Sequence, residues 1–248
     1  MGSANSMIKD KKIVFGLHGF LGQGSDFDRI KNVLPENIEL MTSDLFLDAK
    51  HDLSSFETCA DQIFVELKEI SEKKIFIGYS LGGRIGLHIL DQCPDLFDEY
   101  IFLSTNAGLA DETEKKQRYA ADQLWAKKIN TLTWSDFLTE WNSQPVFDGG
   151  SEPIRIENQF NKNQLICAMT TLSIAKQKNM NSVIEKNRKK IKWVVGDKDR
   201  KYLGLAQDLK QKKIIEDYSR ISSGHRILFD ADISELTKII LQPLAKLV

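Results

Sequence analysis

The chain has 248 residues, 42% hydrophobic and 28% charged, with a net charge of −1. That length can bury one sizeable core, and so even a charge balance gives no argument for binding to nucleic acid or to a membrane surface. No apolar run nears the roughly 20 residues of a membrane span. Met1-Gly2-Ser3-Ala4-Asn5-Ser6 reads as an expression-tag scar over residues 1–6, with Met7 as the native start. No signal peptide is visible, and Cys59, Cys93 and Cys167 are scattered and odd in number. Both features point to a reducing, cytoplasmic setting and to core thiols rather than disulfides. No ligand cluster is present, so neither a metal nor an organic cofactor is expected.

Lys11 to Leu17 is apolar enough for a buried strand and runs into His18-Gly19-Phe20-Leu21-Gly22. A tight turn there can aim a backbone N–H at a reacting group, with the Phe20 amide as one donor. His18 is read as a structural imidazole bonded to that loop. Ser25 to Val33 is expected as a helix ended before Pro35, and Ile38 to Met41 as a strand. Phe56, Ala60, Ile63, Phe64, Leu67 and Ile70 recur with helical spacing.

Ile75 to Ile77 is a short apolar strand that meets Gly78-Tyr79-Ser80-Leu81-Gly82, a match to G-x-S-x-G. Leu81, Ile85, His88 and Ile89 then recur at helical spacing. Strand, turn and helix in that order give the motif its meaning. The turn lifts the Ser80 hydroxyl above the sheet, Gly78 and Gly82 make room for it, and the first helical amides favour negative charge. The Leu81 amide is the second expected oxyanion donor, with Phe20 about sixty residues upstream of it. Arg84 follows Ser80 by one helical turn, on the same face.

Glu99 to Ser104 is the next strand. After Asn106-Ala107-Gly108-Leu109 the chain becomes polar, helical and tryptophan-rich, with a break at Gln144-Pro145-Val146-Phe147-Asp148-Gly149-Gly150. More than seventy residues is too long for one crossover, so this stretch reads as a helical lid between two strands. Strand character returns at Ile191 to Val195, a helix is expected over Leu203 to Leu209, a last strand lies within Lys213 to Ile221, and a helix over Leu236 to Leu247 closes the chain. Alternating strands and helices imply a mostly parallel sheet with helices on both faces. The expected division is a core of residues 7–106 and 188–248 with a lid of residues 107–187.

A serine hydroxyl needs an imidazole to take its proton and a carboxylate to orient that imidazole. After Ser80 the only histidines are His88, inside the nucleophile helix, and His225, in the small-residue turn Ser222-Ser223-Gly224-His225. His225 is therefore the expected base. Asp197 and Asp199 are both available as the acid in the loop after Val195. Asp199 is preferred because it lies further into the loop, where Asp197 suits a turn cap.

From Met7 to Val248 the chain resembles the α/β-hydrolase superfamily and, more narrowly, its 2-succinyl-6-hydroxy-2,4-cyclohexadiene-1-carboxylate synthase family of menaquinone biosynthesis. The resemblance rests on His18 to Gly22, on Gly78 to Arg84, and on Trp141-Asn142-Ser143-Gln144-Pro145-Val146-Phe147. Gly196-Asp197-Lys198-Asp199-Arg200-Lys201-Tyr202 and Gly224-His225 complete it. It implies an α/β-hydrolase fold with a helical lid and a triad that acts as a base. A proton is removed, pyruvate leaves, and the ring closes its diene. It also implies a small carboxylate substrate, bound by Tyr79, Arg84, Arg118, Trp141 and Lys201, since guanidinium pairs bidentately with carboxylate. The chain departs from the family near Glu157, where a further lid arginine falls two residues from Arg155. It departs again at Asp44, which lacks a Pro-Gly-His-Gly loop, at Ser104 to Leu109, and before Lys11, where the N-terminal strands are curtailed.

Two other readings share these residues. A carboxylesterase or C–C-bond hydrolase would use the same triad over an apolar pocket. A partner-binding protein on the same fold would need no working triad.

Overall fold

The alternation of side chains along the strands decides the architecture. In the computed structural model, which describes residues 11–244, six strands form one sheet: β1 (Lys12–Leu17), β2 (Ile38–Ser43), β3 (Lys73–Tyr79), β4 (Glu99–Leu103), β5 (Ile191–Gly196) and β6 (Tyr218–Ile221). Their order is β2-β1-β3-β4-β5-β6 and every pair is parallel. Phe15, Phe76, Tyr100, Phe102 and Trp193 point to one face, and Val14, Ile75, Ile77, Ile101, Leu103 and Val194 to the other. The sheet thus has an aromatic face and an aliphatic face, and both are covered, as a parallel sheet requires.

On the aromatic face pack α2 (Phe56–Leu67) and α3 (Leu81–Gln92); on the aliphatic face pack α1 (Asp28–Lys31) and α10 (Ile233–Leu244). Burying each large apolar side chain contributes about 1.5–3 kcal/mol. Between β4 and β5 the chain inserts α4 (Glu112–Thr131), α5 (Trp134–Asn142), α6 (Lys162–Thr171) and α7 (Asn181–Asn187). Helix α4 packs on both α5 and α6, and α4 and α5 supply Arg118 and Trp141 to the cleft above Ser80, whereas α7 packs back on α3. The remaining helices are α8 (Arg200–Gln211) and α9 (Ile227–Asp230). No helix among the described residues is long and apolar enough to cross a membrane.

Several elements differ in extent from their expected bounds. The helix expected over Ser25 to Val33 is split into a 3₁₀ turn, Gly24–Phe27, and the single turn of α1. Helix α8 starts at Arg200 rather than Leu203 because the Asp199 side chain accepts the Tyr202 amide and caps it. It closes through Lys213, at φ 60°, while the Lys213 and Ile214 amides return to the carbonyls of Lys210 and Leu209. That turn leaves β6 only the four residues Tyr218–Ile221. The scar, the start at Met7, the chain before Lys11 and the last turn of the closing helix lie outside the described residues.

Candidate active site

Ser80 is where the backbone is forced. It has φ 51° and ψ −106°, a left-handed conformation that an L-residue holds only under constraint. Its N–H donates to the Leu103 carbonyl at 2.9 Å, and its own carbonyl receives the Arg84 N–H at 3.0 Å, so neighbours on both sides hold the turn. Gly82 makes the turn possible: a Cβ there would lie 2.0 Å from the Leu17 carbonyl oxygen.

Three side chains distant in sequence meet at this point. His225 Nδ1 is 2.7 Å from Asp199 Oδ2, and His225 Nε2 is 3.3 Å from Ser80 Oγ. Asp199 and His225 are each 5% exposed, so water does not compete for that bond. Asp197 instead accepts the Ser223 N–H at 3.2 Å, within the turn that leads to His225. The parallel sheet explains the meeting, because the loops after β3, β5 and β6 all emerge at one edge.

The loop after β1 closes the other side. The Gly22 N–H returns to the Gly19 carbonyl at 3.0 Å, and Leu21 takes φ 58°. A Cβ on Gly19 would come within 3.4 Å of Ser80 Cβ, so the Phe20 turn lies directly against the serine. Phe20 and Leu81 both line the cleft above it. His18 spends both ring nitrogens on backbone: Nδ1 donates to the Gly19 carbonyl at 2.8 Å, and Nε2 accepts the Leu45 N–H at 3.0 Å. Burial pulls its pKa down, which suits this neutral tautomer.

The cleft encloses about 360 Å³. Ser80, His225, Arg84, Arg118, Lys201 and Trp141 all border it. Arg84 stands over the Phe56 ring at 5.3 Å and donates to the Leu172 carbonyl at 2.8 Å; burial pulls its pKa down to about 10. Arg118 is held through Nε by both oxygens of the buried Asp122, at 2.9 and 3.0 Å, and Ser173 donates to that same carboxylate. Lys201 borders the cleft, and its pKa is pulled down, first by burial and then by the nearby Arg118 cation. Arg84 and Lys201 form no ion pair among the described residues, and Glu114 is the one acid that lines the cleft.

Tyr79 faces away from this cleft. It packs on Gly19 and on His225, 5.6 Å between rings, and burial pushes its phenol up. Arg155 also lies outside it: it pairs bidentately with Asp26, both bonds 2.8 Å, and lines a smaller cavity of about 40 Å³ behind Phe20 and Trp141. Tyr202 and Asn106 are among the cleft residues with no assigned role in the sequence. The Tyr202 ring packs 4.5 Å from His225, where the 199–202 run could have flagged it. Asn106 lines the cleft with its Oδ1 fixed by the Gly108 N–H at 2.9 Å, and no local signal marks it. Among the described residues no group of three or more His, Cys, Asp or Glu is arranged to hold a metal ion.

No family model matches the chain. Among curated proteins it is 26% identical over 206 residues to the 2-succinyl-6-hydroxy-2,4-cyclohexadiene-1-carboxylate synthase of Citrobacter koseri, covering 78% of this chain and 80% of that protein. Among solved structures it superposes on MenH from S. aureus with a TM-score of 0.83 at 20% identity, covering 96% of this chain and 94% of that one. A thermophilic esterase from Thermogutta terrifontis, solved with malate bound, superposes with a TM-score of 0.72 at 16% identity, over 94% of this chain and 89% of that one. The chain therefore has the α/β-hydrolase fold and resembles, over 78% of its length, the 2-succinyl-6-hydroxy-2,4-cyclohexadiene-1-carboxylate synthases.

Proposed function

We propose that the chain is a lyase that removes pyruvate from a polycarboxylate cyclohexene in menaquinone biosynthesis, with Ser80, His225 and Asp199 as its triad. The observation that carries this reading is the ring of cations, Arg84, Arg118 and Lys201, around the cleft that the Ser80–His225–Asp199 relay opens into. An esterase for neutral acyl chains has no use for three cations there. In the proposed reaction Asp199 holds His225 with its Nδ1–H inward, so Nε2 is free to accept the Ser80 proton. The activated pair takes a proton from the substrate ring, the freed electrons form the new double bond as the bond from the ring to the leaving group breaks, and that group takes up the proton held at His225 and departs as pyruvate. The amides of Phe20 and Leu81 meet the negative charge that develops. The cations hold the carboxylates, Trp141 packs against the ring, and Tyr79 supports the imidazole from below. In this reading the insertion over residues 107–187 is the lid that keeps water from the reacting pair.

A carboxylesterase is the second reading, favoured by the apolar stretch of the cleft at Leu109, Pro145, Val146 and Ile174. The deciding experiment supplies the pyruvate-bearing menaquinone precursor and, in parallel, a p-nitrophenyl ester. Pyruvate release with little ester cleavage is expected. Rapid ester cleavage with no pyruvate released would overturn the lyase reading in favour of the esterase.

A further inference from the structure

The turn that carries His225 also grips the insertion. Arg226, the next residue, is only 5% exposed; its side-chain hydrogen bonds and its ring contact lie between residues 142 and 151, and the Asp230 and Glu152 carboxylates also act on its charge. Nη2 donates to Asn142 Oδ1 at 2.5 Å, Nη1 donates to the Ser151 carbonyl, and the guanidinium lies 4.1 Å over the Phe147 ring. Asp230, one helical turn on, accepts the Ser151 N–H at 3.0 Å. Both backbone polar groups of Ser151 are thus held from the 225–230 turn. On the core side the same turn is pinned by Arg29, which donates to the carbonyls of Leu228, Phe229 and Ala231.

The gripped segment returns to the site. Phe147 packs 5.9 Å from the His225 ring and 5.9 Å from Trp141, and it lines the cleft. A guanidinium this deep has given up most of its water, so leaving its bonds to the insertion unmade is costly even with the Asp230 carboxylate acting on it. Seating the 142–151 segment and fixing the His225 turn are therefore one event. The looser side of the relay is the one such an event controls: His225 is 2.7 Å from Asp199 but 3.3 Å from Ser80.

We propose that Arg226 is a positioning residue that couples the seating of the 142–151 segment to the alignment of His225 with Ser80. This rests on the triad proposed above, so its test includes two readouts that need no substrate. They are hydrogen exchange at the Ser151 amide and the proton resonance of the His225–Asp199 hydrogen bond. Arg226→Ala is expected to lower kcat by about 10- to 100-fold with KM within about threefold, since a small misplacement of a reacting group costs that much. Ser151 should exchange faster in the same variant, and the His225 resonance should broaden through contact with water. Arg226→Lys should recover part of each. Asn142→Ala, which leaves the His225 turn itself unaltered, and Phe147→Leu, which also removes a ring packed on His225, should move all three readouts the same way by less. They also decide the matter if Arg226→Ala fails to fold. Faster exchange at Ser151 with kcat and the resonance at wild-type values would overturn the coupling and leave a structural latch. Unchanged exchange at Ser151 would overturn the grip itself. Should the wild-type protein release no pyruvate, the function reading fails, while exchange and resonance still decide the coupling.

Discussion

The two halves of the cleft are built by different means. Below it, the turn at Ser80 is made by backbone: a left-handed serine, glycines that accept close approach, and strand carbonyls as partners. Above it, the insertion is made by side chains. Helix α4 buries only Asp122, Ala126 and Ile129, and the cluster of Trp125, Trp134, Phe137, Trp141 and Phe147 does the packing. Backbone geometry is hard to alter without losing the fold, whereas side chains can be exchanged one at a time. The lower half is thus suited to chemistry that must be exact in space, and the upper half to choosing what is brought to it.

That contrast breaks first at the serine. Ser80→Ala should remove turnover by about 10³-fold or more while thermal stability stays near wild type; retained turnover in steady-state assays would remove Ser80 from the proposed triad. Asp199→Asn should cost about 10²-fold or more because it disturbs the imidazole tautomer, whereas Asp197→Asn should cost less than about threefold. Equal losses in the two variants would undo the choice of acid.

The upper half answers in binding. Losing one charge-assisted contact costs about 1.5–3 kcal/mol, so Arg84→Ala should raise KM for a polycarboxylate by about 10- to 100-fold and leave a neutral ester little changed. The lowered pKa of Lys201 has a further consequence. Its ammonium is lost at a lower pH than an ordinary lysine's, so KM for the polycarboxylate should begin to rise on the alkaline side before the usual lysine range. Lys201→Arg should shift that rise to higher pH in a KM–pH profile.

The smallest effect concerns stability alone. His88 stacks on Phe56 at 4.6 Å, and burial pulls its pKa down to about 4 from 6.5. Below pH 6.5 the unfolded chain binds a proton that the folded one refuses, so stability falls as pH drops from 6.5 to about 4, by at most on the order of 3 kcal/mol. Urea unfolding of His88→Leu at pH 7 and pH 4.5 should show a flatter dependence than wild type.

By itself, the amino-acid order determined the elements whose causes are local. The elbow at Gly78 to Gly82 is legible because only glycine allows a chain to turn that closely, and the strands are legible because a sheet covered on both faces needs continuous apolar runs. The end of α8 was less legible, since a lysine at φ 60° takes a place usually marked by glycine and shortens β6. The tertiary structure alone decided which polar groups meet. Arg155 has a free guanidinium on paper and a bidentate Asp26 in the fold, 129 residues away along the chain. Arg226 looks like one more charge beside a histidine until Asn142 and Ser151 arrive from across the cleft. Such pairings depend on the order of strands in the sheet and on where the insertion lands, and neither leaves a periodic trace in sequence.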